Sequence, residues 1–129
     1  EPRLNPFFTA PLQAALTVLP SQAPATAGAP GPFGLADKVR VDTILEAAGF
    51  QSTTLTSLAL KLSVGDAQSF DEIFEELVQI GPAAALIAES DSTLKERARS
   101  VVYERLKDFY APGSGVSFDA NFWLVTAYN

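Results

Sequence analysis

GPFGLADKVRVDTILEAAGF, residues 31–50, holds the punctuation from which the fold can be read. Gly31 to Gly34 is loop composition. Asp37 is an acid placed to accept from the free amides of a helix N-terminus. Beyond it Val39, Ile44, Leu45 and Ala48 fall broadly on one helical face, with Lys38, Arg40, Asp42 and Glu46 mostly elsewhere. Gly49 suits the left-handed conformation that ends many helices, and Phe50 offers the apolar contact that closes such a cap. A helix over 37–48 is therefore predicted, delivering the chain into a strand.

That strand is QSTTLTSLALKLSV, residues 51–64. Leu58, Leu60, Leu62 and Val64 share one parity, with Ala59, Lys61 and Ser63 on the other. Leu55 breaks the parity, which predicts a bulge near Thr56 and Ser57. One apolar and one wet face suits an antiparallel or edge position.

Working outward, LNPFFTAPLQAALTVL (4–19) reads as a helix with Asn5 as N-cap and Pro6 in the first turn. Pro11 is expected to split or kink it. Residues 20–34 hold the Pro/Gly-rich loop, open to two readings: a surface linker, or an active-site loop that carries Phe33 into a pocket. After the strand, Ser69 and Glu72 form a capping box ahead of the stripe Phe70, Ile73, Phe74, Leu77 and Ile80. Gly81-Pro82 breaks this helix and Pro82 opens another. Residues 91–110 read as a further helix with Leu94, Ala98, Val101, Val102, Arg105, Leu106 and Phe109 inward. Residues 111–121 read as a turn-rich loop, with Val116 to Phe118 briefly extended. FWLVTAY (122–128) reads as a strand buried on both faces, with Trp123 in the core.

At 129 residues the chain is a single domain. Its net charge of −6 argues against nucleic acid and against an anionic membrane surface. The absence of cysteine and histidine removes disulfides, thiolate nucleophiles, imidazole bases and nearly all zinc sites. No apolar run approaches the roughly 18 residues of a membrane span. There is no methionine, and the chain opens Glu1-Pro2, so a segment upstream is expected.

Chemistry-bearing motifs are sparse. No Gly-x-Ser-x-Gly, Ser-x-x-Lys, Walker loop or Gly-x-Gly-x-x-Gly occurs. The acids of DEIFEE (Asp71 to Glu76) read as a solvated helix face near a helix N-terminus, where the dipole favours negative charge. Tyr103 and Tyr110 read as aromatics at the edge of the core.

ADKVRVDTILEAAGFQSTTLTSLALKL, two intervening helical segments and a closing FWLVTAYN together resemble the C-terminal half of a class I S-adenosylmethionine-dependent methyltransferase. The likeness is to small-molecule methyltransferases of the ubiquinone/menaquinone-biosynthesis type. Asp37, Val41, Leu45, Ala48, Gly49 and Phe50 match that family's D-x-x-x-V-x-x-x-L-x-x-A-G-F helix before the sixth strand. Trp123 to Ala127 matches the W-L-V-T-A of its seventh strand. NPFFTAPLQAAL resembles the segment after the fifth strand, on the substrate side of the pocket.

The resemblance implies an α/β fragment, α+β as an isolated chain, with four to five helices. Its two main strands would be the antiparallel edge strands six and seven of a Rossmann-like sheet. It implies a cytoplasmic parent enzyme that uses S-adenosylmethionine and a small-molecule methyl acceptor. The family's glycine-rich cofactor loop and acidic strand end have no counterpart here, so neither catalysis nor cofactor binding is expected of this chain alone. Asn5, Phe8 and Phe33 are the substrate-side candidates, and no catalytic, cofactor or metal residue is assigned. An exposed strand edge predicts a homo-oligomer. The alternative is a free-standing α+β module that binds a protein or ligand, or dimerises, without enzymatic activity.

Overall fold

The computed structural model describes residues 1–21, 26, 28–66 and 68–128; part of the Pro/Gly-rich loop, residues 22–25 and 27, lies outside them. The chain is α+β. A 3₁₀ turn, Pro2–Leu4, leads into α1 (Pro6–Ala15), then α2 (Lys38–Ala47), β1 (Gln51–Val64), α3 (Phe70–Leu77), α4 (Gly81–Glu89) and α5 (Ser92–Lys107). A short β2 (Tyr110–Ala111) and a long β3 (Gly115–Tyr128) complete an antiparallel sheet in the order β1-β3-β2.

Local signals place most boundaries. Asp37 accepts from the Arg40 amide at the start of α2. At its end the Gly49 N–H donates to Glu46 and the Phe50 N–H to Leu45. This is a Schellman closure, and it needs the positive φ of Gly49, +92°. Ser69 and Glu72 form the full capping box of α3, and Asp91 caps α5 through the Leu94 amide. Gly115 opens β3 at φ +70°, where an added Cβ would lie 2.1 Å from the Val64 carbonyl oxygen.

Several expectations are corrected. α1 continues through Pro11, which is buried, and is not split by it. The irregularity in β1 lies between Gln51 and Thr54, with Ser52 at φ +53°, and not at Thr56 and Ser57. Leu55 keeps its opposite parity because α2 packs against that face of β1, as the hydrogen bond from Thr53 Oγ1 to Asp42 records. Within α2, Val41 is the buried residue, whereas Val39 and Ile44 face out. Residues 115–121, read as mainly loop, belong to β3, because pairing with β1 continues unbroken from Thr54·Thr126 to Val64·Val116.

The core lies between α1, α3, α4, α5 and one face of the sheet's hairpin end. Ile73, Val102, Leu106 and Val116 are completely buried and Phe118 nearly so. Phe118 meets Phe7 edge-on at 5.5 Å and Phe109 at 4.8 Å, so α1, the end of α5 and β3 share one aromatic contact. Phe70 and Phe74 pack on Tyr103, which joins α3 to α5. Burial on this scale, about 1.5–3 kcal/mol for each large apolar side chain, is what holds the helices on the sheet.

The far half of β3 was expected to be buried on both faces. Instead Phe122, Trp123, Leu124 and Val125 are all more than a third exposed. Their apolar run is real, but among the described residues no helix layer reaches them on the Phe122·Leu124 side.

Candidate functional site

A cleft of about 270 Å³ opens where α1 begins, beside the outer side of β3. Asn5 and Phe8 come from α1 and the residue before it. Phe33, Leu35 and Ala36 come from the loop before α2, and Val41 from α2 itself. Asn121, Phe122, Trp123 and Val125 come from β3, and Glu1 stands at the rim. The three residues singled out from sequence therefore share one cleft although they belong to distant segments.

Asn5 is 7% exposed and is the buried polar side chain among the described residues. It occupies the N-cap position but does not cap. Its Oδ1 accepts from the backbone N–H of Asn121 at 3.0 Å, and its Nδ2 donates to the Glu1 carbonyl at 3.0 Å. A buried amide without such partners would cost a few kcal/mol, so these bonds fix its orientation. Its main work is to tie the start of the chain to the last strand.

Phe8 stands edge-on to Phe7 at 4.8 Å and to Phe33 at 5.9 Å. The loop that carries Phe33 is held at two points. Arg40 Nε donates to the Gly34 carbonyl at 3.2 Å, and Trp123 Nε1 donates to the Ala36 carbonyl at 3.0 Å. Trp123, read from sequence as a core residue, is thus a cleft wall and a loop anchor at 37% exposure. Asn121 was not singled out. Its side chain donates to Ser57 Oγ and to the Leu58 carbonyl, pinning β3 to β1 beside the cleft. Its place at the end of a stretch read as loop gave no local signal of that role.

Glu1 brings the cleft its carboxylate. A hydrogen bond from Arg3, and then the charge of that guanidinium, hold its pKa below the ordinary carboxylate value. The acids of DEIFEE are occupied elsewhere. Asp71 accepts from Tyr103, Glu72 closes the capping box, Glu75 pairs with Arg99 and Glu76 accepts from Gln68. Among the described residues no group of three or more acidic or metal-ligating side chains could hold a metal ion, and no helix is long and apolar enough to cross a membrane.

The cleft is therefore mainly apolar and aromatic, with amides and carbonyls at its margin and the Glu1 carboxylate at its rim. Such a surface can bind and orient an apolar group. Among the described residues neither a glycine-rich strand-to-helix loop nor an acid at a strand end lines the cleft. A second recess, beside Leu4, Leu60 and Asp119, lacks aromatic walls.

Comparison of the chain with protein-family models, with curated proteins and with solved structures finds no match in any of the three.

Proposed function

We propose that this chain is the acceptor-binding portion of an S-adenosylmethionine-dependent small-molecule methyltransferase. The cofactor would be held by another part of the enzyme, and the reaction would take place in the cytoplasm. The observation that carries the reading is the convergence of Asn5, Phe8 and Phe33 on one cleft beside two long antiparallel strands. Phe8, Phe33 and Trp123 would sandwich an apolar acceptor, and Asn5 would keep the α1 end of the cleft fixed to β3. Methyl transfer asks chiefly for an acceptor held in line with the methyl group, so a cleft that only positions suits it.

Titration calorimetry of this chain with S-adenosylmethionine is expected to give no heat of binding, and tight binding would overturn the division of labour. In the full-length gene product, Phe8→Ala and Phe33→Ala are each expected to raise KM for the acceptor about tenfold, the cost of about 1.4 kcal/mol of lost contact. An unchanged KM in both would remove the cleft from the reaction.

A second reading rests on a different observation. Among the described residues the outer edge of β3 has no strand beside it after its short pairing with β2. Such an edge supports an interaction module that associates with itself. Light scattering that returned only the 13.7 kDa monomer would dismiss it.

A further inference from the structure

The two outer edges of the sheet differ in how they meet solvent. On β3 the Asn121 N–H points away from β1 and into Asn5. By antiparallel alternation Trp123, Val125 and Ala127 also turn their N–H and C=O groups outward. The backbone groups of these three have no hydrogen-bond partner on that side among the described residues, although the Trp123 side chain donates to the Ala36 carbonyl. Residues 122–128 hold no charge and no proline, and the register there has no bulge up to Thr126. These are the devices that keep edges from pairing. The outer edge of β1, in contrast, carries Lys61 and the irregularity between Gln51 and Thr54.

We propose that a second copy of this chain adds to the β3 edge, β3 against β3, antiparallel about a two-fold axis at Val125. This deepens the self-association reading and rests on it. Two facts set the register. Outward-facing residues must oppose outward-facing residues, and Asn121 is already held by Asn5. An axis at Val125 then opposes Val125 to the partner's Val125 and Trp123 to the partner's Ala127, which engages all three free positions.

The edge fits itself better than it fits a charged strand. It is uncharged, so self-pairing opposes no like charges, and an isologous contact needs only one surface. It is apolar on both faces, so pairing covers Phe122 and Leu124 on one side and Trp123 and Val125 on the other. The cleft opens along the same side of β3, its lining drawn from β3 with none from β1. The partner's strand would therefore run beside the cleft residues Trp123 and Val125. Because each chain carries a net charge of −6, raising the ionic strength screens the repulsion between copies and tightens the pair.

The chain has no cysteine, so a single introduced thiol reports on the axis. Val125→Cys is expected to form a disulfide-linked dimer on mild oxidation, since directly opposed residues lie about 5.5 Å apart at Cα, within disulfide reach. Ala59→Cys, which faces outward on β1, is expected to stay unlinked. Light scattering of the unmodified chain should give twice 13.7 kDa, with the dimer fraction rising with salt. Val125→Lys, at an exposed position, should keep its circular dichroism and weaken the dimer at least tenfold. Linking through Ala59→Cys in place of Val125→Cys would overturn the β3 axis while leaving self-association standing. A monomer at every salt concentration would overturn both.

Discussion

Gly115–Ala120 and Asn121–Tyr128 are consecutive halves of one strand, paired to the same neighbour, yet they live in different surroundings. Val116, Phe118 and Ala120 are at most 3% exposed, whereas Phe122 and Leu124, on the same face, are 40% and 50% exposed. The exposed half is the more apolar of the two, so composition does not separate them. What separates them is that α1, α3 and the end of α5 lie over the first half and stop short of the second. Alternation fixes a strand's register and the side to which each residue turns. Burial belongs to the layer above, and a strand alone does not specify that layer.

The difference can be tested directly. Phe118→Ala should cost about 3–5 kcal/mol and Phe122→Ala under about 1 kcal/mol in denaturant titrations, because only the first leaves a closed cavity. Equal losses would break the contrast. Gly115→Ala should cost about 1–3 kcal/mol through its left-handed φ alone, with the clash against Val64 added. A neutral outcome would mean that the hairpin does not hold the covered half in place. Ser69→Ala, which uncaps α3 over the covered half, should cost about 1 kcal/mol.

Smaller effects follow from titration. The backbone N–H of Ser69, and then its hydroxyl, hold the Glu72 pKa below 4.5. The folded value is below the unfolded one, so the contribution is complete above that range and is lost as pH falls through the lowered value. Thermal melts of Glu72→Gln should therefore be flatter than those of the parent on the acid side. Tyr103 behaves oppositely. Its hydrogen bond to Asp71 raises its pKa above 10.0, so its contribution is complete below that value and is lost as pH rises through the raised one. Tyr103→Phe should remove the alkaline slope of melting temperature, and an unchanged slope would detach Tyr103 from the clasp between α3 and α5.

Helix ends were the most legible part of the sequence, because Asp37, Gly49 and Ser69 act on backbone groups within a few residues of themselves. β1 was legible for a similar reason: its side chains alternate and its length is bounded. The length of β3 was not, because Val116 to Asn121 become a strand only by meeting residues 59–64, and no local pattern announces that. The same limit explains Trp123. Its residue type predicts burial, but its position depends on the Ala36 carbonyl, brought to it by a loop and a helix. Asn5, Phe8 and Phe33 were singled out by residue type and position, while the bond from Asn121 to Asn5 joins positions 116 apart and left no trace in spacing.

That bond makes one amide a remote observer. The Asn121 hydrogen is held by a side chain from the opposite end of the polypeptide. Its exchange with deuterated solvent therefore times the release of the first five residues more than the fraying of the strand that carries it. Shortening the chain by those residues, or replacing Asn5 with leucine, should speed exchange at Asn121 while the β1-facing amides of Ala120 and Phe122 keep their rates. A single resolved resonance would then report whether the two ends of the molecule are joined.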